Sequence, residues 1–262
     1  MKLRDIINGI FEDKPLTGNC LPSYLITFLS SRKIAFTLAE VLITLGIIGA
    51  VAALTMPALI QNYRNSVAET RLKKFYSIMN QAILQSINDN GDTQYWTYDV
   101  SEEIDDDGNY INQSDKSDVS FETYLAPYFN ITGKNELTDG DGQKRIVYHL
   151  PDGSAFAFQY GSNREIIFFP KNAEKCLKSK KVDSFGKCAF AFEFYPNNSA
   201  EAWKYLYNKG MESYMYHWDG EERTLYNDGT YGCISGNGNY CTAIIQQNGW
   251  KVPKDYPRRI SF

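Results

Sequence analysis

One apolar segment near the start of the chain limits the possible folds more than any other feature of the sequence. The segment runs from Phe36 to Ile60, and its 25 residues would span about 37 Å as a helix, enough to cross a hydrocarbon layer of ~30 Å. Glu40 is the only charged residue between Lys33 and Arg64. The sequence therefore predicts a membrane-spanning helix that holds a single carboxylate.

The apolar segment alone leaves three interpretations open. It can be a permanent anchor, a secretory signal cleaved at the small residues 50–52, or a helix that lies in the membrane only until the protein assembles. An acidic residue costs ~2.5–3.5 kcal/mol at the centre of a membrane helix and less near its end, so Glu40 indicates a functional partner. No Lys, Arg or His lies near Glu40 in the same helix, so no partner is expected within the segment. A cut between Ala35 and Phe36 would create an α-amino group that a neighbouring copy can present to this carboxylate.

The residues around this cut resemble a processing signal. Lys33-Ile34-Ala35 precedes Phe36-Thr37-Leu38-Ala39-Glu40, and an uninterrupted apolar helix follows. This combination resembles the cleavage and methylation signal of type IV pilins and type II secretion pseudopilins. The resemblance implies that a prepilin peptidase cuts between Phe36 and Ala35, which stands where the family usually has Gly. It also implies N-methylation of Phe36, a role for Glu40 in assembly, and helix flexibility at Gly46, Gly49 and Pro57.

For function, the resemblance implies a structural subunit rather than an enzyme. The precursor would be a single-pass protein of a bacterial inner membrane, with its head in the periplasm. An assembly ATPase and an inner-membrane platform would extract it, and its helix would join homologous pilins or pseudopilins in a periplasmic or extracellular filament. The large head favours a minor subunit of a type II secretion pseudopilus or type IV pilus. Two alternatives stay open: a pilin-like module that binds DNA or a surface, and a membrane-anchored extracytoplasmic protein of another function.

A second apolar pattern continues after the membrane-spanning segment. Apolar residues recur at steps of three and four, the period of an amphipathic helix, at Ala68, Leu72, Phe75, Met79 and Ala82. We therefore expect one nearly continuous helix from Phe36 to about Asn88. The predicted domains are a leader over residues 1–35, an N-terminal helix over 36–90, with 36–60 in the membrane or filament core, and a head over 91–262.

Within the head, the pattern predicts a short helix and then the strands of an antiparallel sheet. The helix is expected over 119–130, with an interruption near Pro127. Strands are expected, from their period of two and the turns between them, at 145–150, 155–160, 164–169 and 188–195, and a further helix at 199–208. In the last strand Phe190, Phe192 and Phe194 share one face, as in a sheet that packs against a helix. The predicted fold class is α+β, a long N-terminal helix packed on an antiparallel sheet in a pilin-like layout.

The cysteines predict disulfide bonds in the head. Of the five cysteines, Cys20 precedes the expected cut, and four remain at Cys176, Cys188, Cys233 and Cys241. Three connectivities are possible, and we expect the sequential one, in which each bond contributes roughly 2.5–3 kcal/mol in the loop-entropy model. Such bonds require an oxidising compartment, so the head is expected outside the cytoplasm.

The remaining charged clusters are interpreted mainly as solvated loops. Asp105 with Asp107, and Asp139 with Asp141, offer oxygen ligands of the kind that calcium prefers, but turn chemistry is the favoured interpretation, and no metal or other cofactor is assigned. The sequence has no motif of nucleophilic, metal-dependent or phosphate-binding catalysis. Residues 91–262 include 18 basic and 25 acidic residues, and this net charge of −7 opposes nonspecific binding of nucleic acid. The local exception is a group of lysines around the first predicted cystine, at Lys171, Lys175, Lys178, Lys180, Lys181 and Lys187.

Overall fold

The structure is a computed structural model that describes residues 37–96, 114–158, 165–194 and 210–262. The chain divides into two compact units, residues 1–49 and 50–262. The described residues of the first unit form the beginning of one long helix. The second unit contains the rest of that helix and a six-stranded sheet.

Helix α1 comprises Leu38–Asn90. It continues through Pro57, because a proline removes one backbone hydrogen bond and can bend a helix without ending it. The helix stops at Gly91, whose φ of +79° is accessible to glycine and costly for other residues. The Gly91 carbonyl accepts a hydrogen bond from Trp96 Nε1 at 3.0 Å, and Trp96 is itself buried. The end of α1 is therefore attached to the core of the second unit.

Six strands form one antiparallel meander. Their bounds are β1 Gly133–Thr138, β2 Lys144–His149, β3 Ala155–Phe158, β4 Glu165–Phe169, β5 Phe190–Glu193 and β6 Glu212–Ser213. Neighbouring strands follow the order of the chain. Their register places Phe168 opposite Phe156 on one side and opposite Phe190 on the other. Because alternate side chains of a strand share a face, this register places aromatic rings on one face of the sheet.

Short helices connect the strands and cover the sheet. They are α2 Ser114–Tyr124, α3 Ala173–Leu177, α4 Lys181–Ser184, α5 Glu222–Asn227 and α6 Cys241–Gln247, with 3₁₀ turns at Thr93–Tyr95 and Ala126–Tyr128. The expected interruption near Pro127 coincides with the second of these turns, which follows directly after α2. Helices α3 and α4 lie between β4 and β5 in the chain, and α5 and α6 follow β6.

One face of the sheet packs against the second half of α1. The predicted stripe of Ala68, Leu72, Phe75, Met79 and Ala82 is buried. At its centre, Phe75 stacks on Phe168 with ring centroids 4.4 Å apart, and it also contacts Phe156 at 5.3 Å and Phe192 at 5.5 Å. These contacts confirm the predicted α+β class, in which a long N-terminal helix packs on an antiparallel sheet.

The opposite face of the sheet holds a second apolar core. Small and branched side chains of the strands, including Val147 and Ile167, contact buried residues of the later helices, including Leu177, Leu225 and Ile244. The sheet therefore separates two cores, one under α1 and one under helices α3–α6, as in other layered domains.

Polar contacts at the edge of the first core hold α1 to the sheet. Arg71 donates hydrogen bonds to the backbone carbonyls of Pro170 and Asp152. Lys74 Nζ lies 2.8 Å from the Asp152 carboxylate. Partial burial opposes ionisation of Asp152, but the hydrogen bonds from Lys74 and Ser154 lower its pKa to about 2. The Asp152 side chain is therefore a charged anchor for the packed half of the helix.

The structure also contains elements that the sequence pattern did not predict. Strand β1 is polar and mostly exposed. Helix α6 follows a glycine-rich loop, and its start therefore has no clear signal in the sequence. Strand β2 lies one residue before its predicted bounds, and β3–β5 each lie within two residues of the one predicted end that is described. The predicted helix over 199–208, and the outer ends of the strands predicted over 155–160, 164–169 and 188–195, lie outside the described residues.

Candidate functional site

The first turn of α1 contains a reciprocal set of hydrogen bonds between Thr37 and Glu40. Glu40 Oε2 accepts hydrogen bonds from the Thr37 backbone N–H at 2.8 Å and from its hydroxyl at 2.9 Å, and Thr37 Oγ1 accepts one from the Glu40 N–H at 3.2 Å. This is a capping box, in which a threonine and a glutamate three residues later satisfy free amides at a helix start. The expectation that Glu40 has no partner in its own segment is therefore wrong. The T-x-x-E pattern at residues 37–40 is the sequence signal that could have identified Thr37 as the partner of Glu40.

After this cap, the apolar segment is exposed along its length. Among the described residues, α1 is the one helix long and apolar enough to cross a membrane, and none of its most apolar window is buried. The exposed large side chains are Leu38, Val41, Leu42, Ile43, Leu45, Ile47, Ile48, Val51, Leu54, Met56, Leu59 and Ile60. Such a surface needs lipid or other protein chains around it, because burial of apolar area is favourable and the residues that the structure describes supply almost none.

The uncharged polar and small residues of the segment suit an apolar environment. Thr44 and Thr55 donate their hydroxyl groups to backbone carbonyls of the same helix, at 3.0 and 2.9 Å. An added Cβ at Gly46 or Gly49 would meet no atom within 4 Å. Packing against the described residues therefore does not explain these glycines. They leave helix backbone accessible to a close neighbour.

Several predicted site residues lie outside the described residues. These are the two sides of the expected cut, Ala35 and Phe36, the whole leader over 1–35, and the aspartates Asp105 and Asp107. The structure therefore brings Glu40 together with Thr37 but gives no geometry for the cut itself.

Asp139, the first member of the second aspartate pair, has a structural role. Asp139 accepts hydrogen bonds from the backbone N–H groups of Asp141 and Gln143, at 3.0 and 2.8 Å, which is turn chemistry. Its other oxygen lies 2.6 Å from Arg145, and both side chains are buried. A carboxylate already paired with a buried guanidinium is a poor cation ligand. In the part of the chain that the structure describes, no three His, Cys, Asp or Glu side chains are grouped to hold a metal.

Both cystines have the sequential pairing. Cys176 is bonded to Cys188, with Cα atoms 5.9 Å apart, and Cys233 to Cys241, with Cα atoms 4.8 Å apart. The first cystine joins α3 to the residues before β5. The second closes the glycine-rich loop against the start of α6.

Arg258 connects the two cystine loops, and sequence reasoning missed it. Its guanidinium donates to carbonyls of the first loop, Val182 and Phe185, both at 2.9 Å. It also donates to carbonyls of the second loop, Cys233 at 2.7 Å and Gly236 at 2.9 Å. A guanidinium suits this task because it presents several N–H donors in one rigid plane. No local sequence pattern marks a residue whose partners lie this far away in the chain.

The remaining polar candidates have local partners. Lys178 pairs with Glu174 one helical turn away, at 2.9 Å, and burial lowers the pKa of Lys181. Asp219 accepts hydrogen bonds from the Glu221 N–H and the Thr224 hydroxyl. The ring of His217 contacts the ring of Tyr216, with centroids 4.0 Å apart. These contacts support structural roles for Asp219 and His217, and they leave Lys178 in an exposed local ion pair.

The fold and the exposed segment together define a class of protein. It is an α+β protein whose sheet packs against the second half of a helix long and apolar enough to cross a membrane. The chain belongs to a family of unknown function (DUF6613), whose model matches residues 58–260. This range covers the packed half of α1, the sheet and both cystines, and it begins after Glu40. No curated protein matches the chain, and no solved structure matches it.

Proposed function

We propose that this protein is a pilin-like structural subunit that is stored in a bacterial inner membrane and then assembled into a filament through α1. The observation that carries the proposal is the exposed apolar half of α1, in a helix whose second half is packed on a folded head. As a minor subunit of a type II secretion pseudopilus or type IV pilus, the chain would have no catalytic role.

The exposed apolar surface accounts for both stages of this function. In the membrane, lipid covers residues 38–60. On extraction, that surface would contact water unless neighbouring copies or homologous pilins cover it, and each Å² of apolar surface buried is worth ~25 cal/mol. Bundling of helices supplies this burial. The open surroundings of Gly46 and Gly49 allow close approach of a second helix.

Glu40 has two proposed roles, one before and one after processing. Before processing, Glu40 caps the start of α1 together with Thr37, as in the structure. Cleavage between Ala35 and Phe36 would create a positive α-amino group one residue before Thr37, and Glu40 of an adjacent copy can pair with it. In an apolar bundle, an unpaired charge is heavily penalised, so this pairing would set the register between copies.

The cystines support a head outside the cytoplasm. Disulfide bonds persist in oxidising compartments and are rare in the cytosol. With the head in the periplasm, the leader is on the cytoplasmic side, where the prepilin peptidase, the assembly ATPase and the inner-membrane platform would act.

The first experiment determines where the mature chain begins. The protein is extracted from membranes of cells with and without a prepilin peptidase and analysed by N-terminal sequencing and intact mass. We expect a chain that begins with N-methylated Phe36 when the peptidase is present, and the uncut precursor when it is absent. A mature chain that begins at Met1, or after Ala52, would contradict the proposal.

A second experiment separates the charge of Glu40 from its capping role. Glu40→Gln keeps a side chain that can complete a capping box but removes the charge. Thr37→Val removes the cap and keeps the charge. We expect Glu40→Gln to abolish filament assembly while leaving processing intact, and Thr37→Val to assemble. Wild-type assembly of Glu40→Gln, or equal loss in both variants, would show that charge pairing is not the role of Glu40.

A further inference from the structure

The two cystines lie in different environments. Cys233 and Cys241 are both 0% exposed, and they lie under Gly186, where an added Cβ would collide with Cys241 Sγ. Cys176 is buried, but its partner Cys188 is half-buried, and both line a cavity of about 170 Å³. A cavity of this size has room for several water molecules, or for a small side chain in their place. A reagent in solution can therefore reach only the first cystine without opening the core.

The cavity beside the first cystine carries cationic groups. Arg64 of α1 and Lys175 of α3 line it, and Lys175 is the direct neighbour of Cys176. Asp183 also lines the cavity and offsets part of this charge. Cations near a sulfur favour its thiolate form, both for an incoming nucleophile and for the sulfur that leaves.

We infer that the Cys176–Cys188 bond is a site of thiol–disulfide exchange, at which a thiolate enters the cavity and attacks Cys188, while the Cys233–Cys241 bond is structural. This site does not depend on the proposed assembly of α1. Attack by the thiolate forms a bond to Cys188 Sγ, breaks the bond between the two protein sulfurs and releases Cys176 as a thiolate. When the reagent is a dithiol, its second thiolate attacks the reagent sulfur of this mixed disulfide and releases Cys188. Two electrons thereby pass from the dithiol, which becomes a disulfide, to the protein.

The loop around the first cystine keeps its other attachments when this bond opens. The Leu177 carbonyl accepts a hydrogen bond from the Gly140 N–H at 2.7 Å. The Gly186 carbonyl accepts one from the Tyr256 hydroxyl at 2.8 Å, and Arg258 binds the carbonyls of Val182 and Phe185. Leu177 and Phe185 are also buried in the second core. Reduction is therefore expected to expose two thiols at the cavity while the domain stays folded.

The experiment follows reduction of both cystines in the full chain in detergent. The protein is treated with dithiothreitol for increasing times, free thiols are alkylated, and peptides are quantified by mass spectrometry. We expect Cys176 and Cys188 to be alkylated about tenfold faster than Cys233 and Cys241, because exchange rates depend on access of the thiolate to sulfur. The aromatic bands of the near-ultraviolet circular dichroism spectrum should be retained when the first pair is fully reduced. Equal rates, faster reaction at Cys233 and Cys241, or loss of the folded spectrum with the first bond would overturn the inference.

Matched lysine variants test whether the reagent enters through the cavity. The probe is reduced glutathione, an anionic thiol. We expect Lys175→Gln to slow its reaction with the first cystine about two- to threefold at low salt and to have little effect at high salt. The control is Lys178→Gln, which removes a lysine of the same region that pairs with Glu174 and does not line the cavity. If glutathione reacts with the first cystine at the same rate in the two variants, the charge of Lys175 does not affect its approach. The assignment of the cavity as the entry route is then wrong.

Discussion

The two halves of α1 carry similar apolar side chains and place them in opposite environments. Over residues 38–60 leucines, isoleucines and valines are exposed, and Leu54 retains 81% of its accessible surface. Over residues 68–86 the apolar side chains follow one stripe, and Phe75 retains 1%. The first half is apolar on every side, whereas the apolar side chains of the second half, apart from the exposed Leu84, lie mainly where it contacts the folded head.

This difference in exposure is the basis for the proposal that the two halves of one continuous helix have separate functions. Contacts with the sheet stabilise the folded head and involve only the second half. The contacts proposed for the first half are with lipid or with other helices. Substitutions in the two halves should therefore change different properties, and the following predictions test that separation.

The largest expected effect is on the packed half. Phe75→Ala should lower the free energy of unfolding by about 3–5 kcal/mol, because it leaves a cavity among Phe156, Phe168 and Phe192. Urea unfolding of the detergent-solubilised protein, followed by near-ultraviolet circular dichroism, measures this change. Leu54→Ala is the control in the exposed half and should change the free energy by less than about 0.5 kcal/mol. A comparable loss for both variants would show that the first half also contributes to the head core.

The next effect concerns the membrane. Leu45→Asp places a charge near the middle of the exposed half and should weaken membrane insertion by about 3 kcal/mol, more than a hundredfold in partitioning. The control is Leu84→Asp, because Leu84 is a similarly exposed leucine of the same helix, at 67% against 60% for Leu45. Extraction of membranes at high pH should release Leu45→Asp and retain Leu84→Asp. Release of both variants would contradict the proposal that only the first half of α1 lies in the membrane.

The smallest effect concerns the polar edge between α1 and the sheet. Lys74→Gln removes the partner of Asp152 and should lower the free energy of unfolding by about 0.5–1 kcal/mol at pH 7. The neighbouring variant Lys73→Gln is the control, since Lys73 is exposed beside Lys74.

The same ion pair has a defined pH dependence. The pKa of Asp152 is lowered to about 2 in the folded protein, below the value of ~3.9 in an unfolded chain. The carboxylate therefore stabilises the fold fully above pH 4, and this contribution is lost as the pH falls from about 4 to 2. The difference between Lys74→Gln and wild type should disappear over that range, whereas a difference that persists at pH 2 would assign the effect to packing of the lysine.

The sequence allowed prediction of the parts of the fold that depend on regular periodicity. Helix α1, its buried stripe and strands β2–β5 follow from spacings of three, four and two residues. Strand β1 has no such signal. Its residues Gly133–Thr138 are mostly polar, and it is a strand because it pairs with β2, from Gly133 opposite His149 to Thr138 opposite Lys144. Tertiary pairing therefore determined an element that local preference did not favour.

The candidate sites show the same limit. The capping partner of Glu40 was within reach of sequence analysis, because it depends on two residues three positions apart. The cavity beside Cys176 and Cys188 was not, because Arg64 precedes these cysteines by more than a hundred positions. The burial that distinguishes the two cystines is likewise a property of the folded domain. Local chemistry was predictable, and contacts between distant segments were not.

The position of Arg258 in the chain has a consequence for the order of folding. Because it follows both cystine loops in the sequence, a ribosome synthesises the acceptor carbonyls of both loops before their shared donor. Until residue 258 emerges, the loop carbonyls that Arg258 binds are without this donor. The link between the two loops is therefore a late event of biogenesis, whichever bond between sulfurs forms first.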